Sequence, residues 1–213
     1  MRMSQIIATY PSMSTTVAKL MMQRPKRNHT PQVLYIWGKT GTGKTTAVDR
    51  VVHLVRELYN VDYYYKVGGL SKYFDGYDNQ EIVIIDDPVK PQAQVNQDDV
   101  QMLKRVLSTG DTIVEVKFGN MVFDAYLVII TANLDPNELA NACGIDCREA
   151  IFRRLTDTCG AINTDRLQDC RDRLPELLLR YIFRIMTHYK LGKYNDTDLD
   201  CYFSVKFCLQ SKL

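Results

Sequence analysis

Short runs of apolar, β-branched or aromatic residues recur along the chain, and segments with helical spacing of apolar residues separate them. The runs lie at residues 33–36, 62–67, 82–85 and 127–131. Because the run at 82–85 is continuously apolar, we expect a strand that is buried on both faces, as in a parallel sheet. The alternation of strands and helices predicts an α/β fold with three layers around a mostly parallel central sheet.

Several segments place apolar residues at helical spacing. Short helices are predicted within residues 12–21 and over 100–107. The helix predicted from residue 44 has one apolar face, which consists of Val48, Val51, Val52, Val55, Leu58 and Tyr59. The longest pattern spans residues 173–189. Its apolar stripe, which we expect to pack in the core or against another subunit, consists of Leu174, Leu177, Leu178, Tyr181, Ile182, Ile185, Met186 and Tyr189.

Composition and charge are those of an ordinary globular protein. The 213 residues are 46% hydrophobic and 24% charged, and the net charge of +2 is too small to indicate nucleic-acid binding by itself. A basic run at residues 24–27 suits phosphate contacts or a nuclear localisation signal, and a solvated linker is the alternative. No signal peptide or bilayer-spanning run is evident, so we expect a soluble intracellular protein that does not bind membranes.

The six cysteines include no C-x-x-C pair, and the three histidines lie far from them in the sequence. This spacing favours reduced thiols in a reducing compartment over a zinc site.

The strongest motif follows the first apolar run, where residues 38–45 match the pattern G-x-x-x-x-G-K-[ST] in full. Its glycines let backbone N–H groups approach phosphate oxygens, and the helix that follows adds its positive dipole end. Lys44 is expected to reach the β- and γ-phosphates, and the Thr45 hydroxyl to bind Mg²⁺. The predicted ATP-binding residues are Gly38, Lys39, Thr40, Gly41, Thr42, Gly43, Lys44, Thr45 and Thr46.

Polar residues end two further apolar runs. Asp86 and Asp87 follow the run at 82–85, and Asn133 follows the run at 127–131. At the carboxyl ends of parallel strands, such residues lie beside the phosphate loop. We assign Asp86 mainly to the metal and Asp87 mainly to orienting and deprotonating the attacking water, while Asn133 hydrogen-bonds the γ-phosphate or that water. An acidic turn and an Asn-initiated turn are the structural alternatives.

Two arginines suit an enzyme whose nucleotide sites lie between subunits. Arg153 or Arg154 could enter a neighbouring subunit's site and stabilise the charge of the transition state as an arginine finger. A surface helix with salt bridges is the alternative, and the sequence does not choose between the two arginines.

A β-hairpin is predicted in which residues 112–117 meet 121–125 across the turn 118–120, with Lys117, Phe118 and Gly119 around its tip. A lysine beside an aromatic residue at such a tip suits contact with a nucleic-acid backbone in a central channel. A purely structural hairpin is the alternative.

Taken in order, these motifs resemble the superfamily 3 helicases of small viruses. The phosphate loop, acidic strand end, Lys-Gly hairpin, Asn-ended strand and arginine pair occur together with Phe-Asp-Gly-Tyr at 74–77 and Val-Glu-Val-Lys-Phe-Gly at 114–119. The set closely resembles the helicase domain of replication-initiator (Rep) proteins from circular single-stranded DNA viruses such as circoviruses. The resemblance spans about residues 10–155.

This resemblance implies an AAA+-like P-loop fold, a hexameric ring with nucleotide sites between subunits, and 3′-to-5′ translocation on single-stranded DNA. By matching positions, it implies catalytic roles for Asp86, Asp87 and Asn133 and a DNA contact at Lys117. Rep proteins of this kind also carry a nicking endonuclease with a His-hydrophobe-His motif and a catalytic tyrosine. Neither is seen here, so nicking and ligation are not carried over.

Other functions remain open at this point. The superfamily 3-like ATPases of positive-strand RNA viruses, including picornaviruses, carry similar elements, but their usual amphipathic membrane-binding helix is not evident. A small-molecule kinase would need an arginine-rich lid, which residues 63–77 do not supply. A non-catalytic ATP-binding scaffold would not need a water-activating carboxylate.

The main prediction is an ATP-dependent helicase that uses Mg²⁺ and acts on single-stranded DNA, with RNA as the alternative polymer. The expected parts are an N-terminal helix and basic linker for oligomerisation (1–31), an ATPase core (32–165) and a C-terminal helical segment (166–213). The DNA-virus interpretation implies action in the host nucleus.

Overall fold

The computed structural model describes residues 29–66, 73–89, 96–116, 119–156 and 159–191. In chain order, its elements are β1 (Gln32–Trp37), α1 (Lys44–Tyr59), β2 (Tyr63–Lys66), β3 (Ile82–Asp86), α2 (Gln97–Val106), β4 (Ile113–Val116), β5 (Gly119–Val122), β6 (Leu127–Ala132), α3 (Pro136–Ala142), α4 (Ile145–Thr156), β7 (Cys159–Asn163), a 3₁₀-helix (Thr164–Arg166) and α5 (Cys170–Leu191). The predicted helix within 12–21 and the basic run at 24–27 lie outside the described residues.

Five of the described strands form one parallel sheet in the order β2-β3-β6-β1-β7. The register pairs Trp37 with Ala132 on one side of β6 and Asp86 with Thr131 on the other. The carboxyl ends of β1, β6 and β3 therefore meet at one edge of the sheet. Because β6 lies between the other two strands, the residue that follows it stands between the phosphate loop and the acidic pair.

Two apolar layers cover the two faces of this sheet, which confirms the three-layer α/β prediction. One core includes buried residues of α2, α3, α4 and the β4–β5 hairpin, and the other includes residues of α1 and α5. Most of the α5 stripe is buried, namely Leu174, Leu178, Tyr181, Ile182, Ile185 and Met186. This stripe therefore packs in the core of the same chain.

Helix α1 begins directly after Gly43, whose φ of 87° is a left-handed conformation that favours glycine. The predicted apolar face is buried from Val48 to Val55, but Leu58 is 59% exposed, so that part of the prediction is wrong. Helix α5 packs against the last turn of α1, where the Tyr59 hydroxyl donates to the Phe183 carbonyl at 3.4 Å.

The predicted hairpin is present as the antiparallel pair β4–β5, in which Val114 faces Met121. Its second strand begins at Gly119 and ends at Val122, so the predicted bounds of 121–125 are wrong. Its connection, residues 117–118, lies outside the described residues. The hairpin is joined to the segment before β3, because the Phe74 amide donates to the Glu115 carbonyl at 2.7 Å. Phe74 is fully buried and its ring packs against Tyr77 and Phe123.

Some elements differ from the sequence prediction. Helix α2 begins three residues earlier than expected, because the Asn96 side chain accepts a hydrogen bond from the Asp98 amide and caps the helix. Helix α3 was not predicted, although Asp135 and Glu138 form a capping box and proline stands at its first turn. Strand β7 has no regular apolar pattern and was missed. Across the described ranges, no helix is long and apolar enough to cross a bilayer.

Candidate nucleotide-binding site

Lys44 is buried at the centre of the phosphate loop, between β1 and α1. Its Nζ donates to the carbonyl oxygens of Gly38 and Lys39 at 2.7 Å and 2.9 Å. Nζ also lies 3.3 Å from Oδ1 of Asn133. The loop backbone thus holds the ammonium group at the same sheet edge as the end of β6.

Three carboxylates interact electrostatically with this ammonium group. Burial lowers the pKa of Lys44, whereas the charges of Asp87, Asp165 and Asp86 act in the opposite direction. Two of these carboxylates were predicted from the sequence, and the third, Asp165, was not.

Asp86, the last residue of β3, is held by hydroxyl groups from neighbouring elements. Thr45 donates to its Oδ1 at 3.2 Å, and Thr131 donates to the same oxygen. Burial, together with the charge and hydrogen bond of Asp86, raises the pKa of Tyr65 to about 12. The Thr45 hydroxyl and the Asp86 carboxylate are hard oxygen donors at hydrogen-bond distance from each other, so this pair fits a hydrated Mg²⁺ ion.

Asp87 follows β3 in a left-handed conformation, with φ of 44°. Successive side chains within a strand point to opposite faces of the sheet. The left-handed turn ends the strand, so the carboxylates of Asp86 and Asp87 can both lie at the same edge of the sheet. The Asn133 amide nitrogens bind the Asp87 carboxylate, from the backbone at 3.2 Å and from the side chain at 3.0 Å. Asn133 therefore contacts Asp87 on one side and Lys44 on the other.

The other predicted loop residues lie around these groups. The Thr40 hydroxyl donates to Oδ1 of Asn133 at 3.4 Å, and the Thr42 hydroxyl donates to the Lys39 carbonyl at 3.0 Å. Gly41 and Thr46 are exposed to solvent. The loop thus presents an accessible face while its ends are held in place.

Arg153 and Arg154 lie in the second half of α4. Arg153 is exposed, whereas Arg154 is half-buried and donates to the Ala150 carbonyl of its own helix at 2.8 Å. Exposure of Arg153 is compatible with the predicted action in a neighbouring subunit.

The predicted nucleic-acid contacts are only partly described. Lys117 and Phe118 lie outside the described residues, and Gly119 is the first residue of β5, opposite Val116.

Sequence reasoning missed a group of residues after β7. The Asp165 carboxylate accepts a hydrogen bond from the Lys39 amide at 2.8 Å, and the Thr164 hydroxyl donates to the Trp37 carbonyl at 3.0 Å. Arg171 lies next to the loop, with Nη2 3.5 Å from the Gly41 carbonyl. The Asn-Thr-Asp run indicates a turn or a helix start, but no local signal connects it with a loop more than 120 residues earlier.

A family model described as RNA helicase matches residues 34–134 of this chain. This match extends from the phosphate-loop strand through the acidic pair to Asn133 and Leu134. It therefore includes the groups that the fold brings to one edge of the sheet. Residues 34–134, which include the phosphate loop, the acidic pair and Asn133, are thus similar to an RNA helicase family.

Viral replication proteins are also similar to this chain. The chain is 29% identical to the replication-associated protein of Pigeon circovirus over 168 residues, which are 76% of this chain and 46% of that protein. It is 33% identical to the replication-associated protein of Porcine circovirus 1 over 86 residues, which are 40% of this chain and 26% of that protein.

A polyprotein of an RNA virus is also similar to this chain. The chain is 25% identical to the genome polyprotein of Human rhinovirus 3 over 170 residues, which are 72% of this chain and 8% of the polyprotein. The chain thus spans less than half the length of each of these curated relatives.

Proposed function

We propose that this chain is an ATP-dependent helicase or translocase of viral replication that moves on single-stranded DNA. One observation carries the proposal: Asn133 hydrogen-bonds both Lys44 and Asp87, and the hydrogen-bonded pair of Thr45 and Asp86 lies at the same edge of the sheet. A phosphate-binding lysine, a hydroxyl–carboxylate pair and a second carboxylate bound to an amide are the parts that hydrolysis of a nucleoside triphosphate requires.

In this proposal, the loop amides and Lys44 bind the β- and γ-phosphates of ATP. Thr45 and Asp86 hold Mg²⁺, which supplies positive charge beside the phosphate oxygens when it is bound. Asp87 orients the attacking water and accepts its proton, and Asn133 fixes the direction of the Asp87 carboxylate. Asn133 also connects this carboxylate with Lys44, so that base and phosphate ligand keep a defined separation.

We propose that the active assembly is a hexameric ring in which Arg153 or Arg154 completes the neighbouring subunit's site. The exposure of Arg153 supports this assignment. Residues 1–31 are proposed to assist oligomerisation, the core to span 32–165, and 166–213 to form a C-terminal helical segment. The basic run at 24–27 is proposed to direct the protein to the host nucleus.

The test is the steady-state ATPase rate of the purified chain without polymer, with single-stranded DNA and with single-stranded RNA, at one low salt concentration. We expect hydrolysis that DNA stimulates, and no ATP binding by Lys44→Ala. Lys117→Ala should keep the basal rate but lose stimulation and strand unwinding. Full unwinding by Lys117→Ala would show that the hairpin assignment is wrong.

A second candidate is an RNA-stimulated ATPase of a positive-strand RNA virus. The similarity to the rhinovirus polyprotein, over 72% of this chain, favours it. Stimulation by RNA but not by DNA in the same assay would select this candidate. Tight ATP binding without any hydrolysis would instead indicate an ATP-binding scaffold.

A further inference from the structure

The turn after β7 lies directly against the start of the phosphate loop. Strand β7 pairs with β1 in parallel, and the register places Asn163 beside Trp37. The next residues of both strands, Thr164 and Gly38, therefore leave the sheet side by side. This placement is a consequence of the sheet order, because β7 occupies the side of β1 opposite to β6.

Thr164 contacts the residue before the phosphate loop, Trp37, and a residue within the loop, Thr42. Its side chain is almost fully buried, its hydroxyl donates to the Trp37 carbonyl at 3.0 Å, and it lies 3.1 Å from the Thr42 hydroxyl. The contact is close: a Cβ atom added to Gly38 would lie 2.1 Å from the Thr164 hydroxyl oxygen. Residue 38 must therefore be glycine for the loop to approach Thr164 in this way.

Asp165 holds the next residue of the loop. Its Oδ1 accepts a hydrogen bond from the Lys39 amide at 2.8 Å. The carbonyl of the same residue, Lys39, accepts a hydrogen bond from Lys44 at 2.9 Å. Asp165 and Lys44 thus bind the two backbone groups of one residue, and the position of Lys39 determines where the Lys44 ammonium group is held.

We propose that Thr164 and Asp165 are positioning residues that keep the phosphate loop in the conformation that receives ATP. They act through the loop backbone, and the backbone then orients Lys44. Without the Asp165 hydrogen bond, Lys39 can rotate away and its carbonyl no longer holds Lys44. This inference rests on the proposed ATPase function.

The variants should separate the hydrogen bond from the charge. Asp165→Asn keeps an oxygen acceptor for the Lys39 amide, whereas Asp165→Ala removes it. Thr164→Ser keeps the hydroxyl, whereas Thr164→Val replaces it with a methyl group of similar size. Asp172→Ala, an exposed carboxylate in the first turn of α5, is the matched control for loss of one acidic side chain.

The measurements are the KM and kcat for ATP without polymer, the Kd for ATP by calorimetry, and the thermal unfolding midpoint without nucleotide. For Asp165→Ala we expect KM and Kd to rise about tenfold, the effect of losing one hydrogen bond to a charged group, with kcat within about twofold of the wild type. Asp165→Asn and Thr164→Ser should stay near the wild type, Thr164→Val should follow Asp165→Ala, and Asp172→Ala should change nothing.

Two results would overturn the inference. Wild-type KM and Kd in Asp165→Ala would show that the contact does not position the loop. Equal losses in Asp165→Asn and Asp165→Ala would show that charge acts instead of the hydrogen bond. If the wild-type chain itself binds no ATP, the proposed function is wrong. That outcome is distinguishable from failure of this inference, because the wild type is measured before any variant is compared with it.

Discussion

The side-chain amide of Asn133 donates to both carboxylate oxygens of Asp87, over 3.3 Å and 3.0 Å. The oxygen of the same amide accepts hydrogen bonds from Lys44 and Thr40. An amide is suited to this place because it offers donors to a carboxylate and an acceptor to an ammonium group without adding charge. A single side chain, directly after the middle strand, thus connects Asp87 with the phosphate loop.

Replacement of Asn133 by aspartate should strongly slow hydrolysis. Two carboxylates at hydrogen-bond distance cannot both stay ionised, so Asp87 would be protonated or displaced. We expect kcat to fall about 100-fold or more, whereas ATP binding should persist because Lys44 remains. Single-turnover hydrolysis and ATP calorimetry would measure the two effects. Asn141→Asp, an exposed change on α3, is the control, and substantial hydrolysis by Asn133→Asp would contradict the role of the amide.

Thr45→Ala should weaken the response to Mg²⁺. The Thr45 hydroxyl binds Asp86, and its loss removes one oxygen donor from the pair that fits the ion. We expect the Mg²⁺ concentration for half-maximal hydrolysis to rise about tenfold, or about 1.4 kcal/mol. A Mg²⁺ titration of ATP binding, followed by fluorescence, gives a readout independent of turnover. Thr45→Ser should restore the wild-type response, and an unchanged titration in Thr45→Ala would refute the assignment.

Arg153→Ala should assemble and bind ATP but hydrolyse it about a thousandfold more slowly, as expected for the loss of an arginine finger. Arg154→Ala should have the smaller effect, because that side chain is bound to its own helix. Arg50→Ala, an exposed change on α1, is the control.

Mixing inactive subunits tests whether Arg153 acts between them. Subunits with Lys44→Ala still supply the arginine, and subunits with Arg153→Ala still bind ATP. Their mixture should recover part of the wild-type rate, which neither preparation has alone. No recovery, in mixtures shown by light scattering to contain both kinds of subunit in one assembly, would place the arginine in the site of its own chain.

The stability of the protein should fall at high pH partly because of Tyr64. Burial, and then the charge of Asp75, raise the pKa of Tyr64 to about 12. The folded state therefore favours the neutral phenol, so its contribution to stability is present below pH of about 10 and is lost as the pH rises from about 10 to 12. Urea unfolding at pH 9 and pH 11 should show a smaller loss for Tyr64→Phe than for the wild type. Equal losses would show that Tyr64 is not the group responsible.

Local sequence patterns determined much of this site. The loop motif at 38–45, the apolar run before Asp86 and the run before Asn133 each specify a strand or turn with a polar residue at its carboxyl end. These signals are local, because a continuous apolar run and a glycine-rich turn can both be recognised from residues that are adjacent in the sequence. Strands β1, β3 and β6, the polar residues at their carboxyl ends and the start of α1 were therefore predictable, whereas β7 was missed.

The tertiary structure alone decided which strands are neighbours and, with that, which side chains meet. The order β2-β3-β6-β1-β7 places Asn133 between Lys44 and Asp87, and it brings Asp165 to Lys39 across 126 residues of sequence. The left-handed turn at Asp87 and the exposure of Leu58 also follow from the packed fold. Strand order depends on crossovers and on burial of both sheet faces at once, and no local period of apolar residues carries that information.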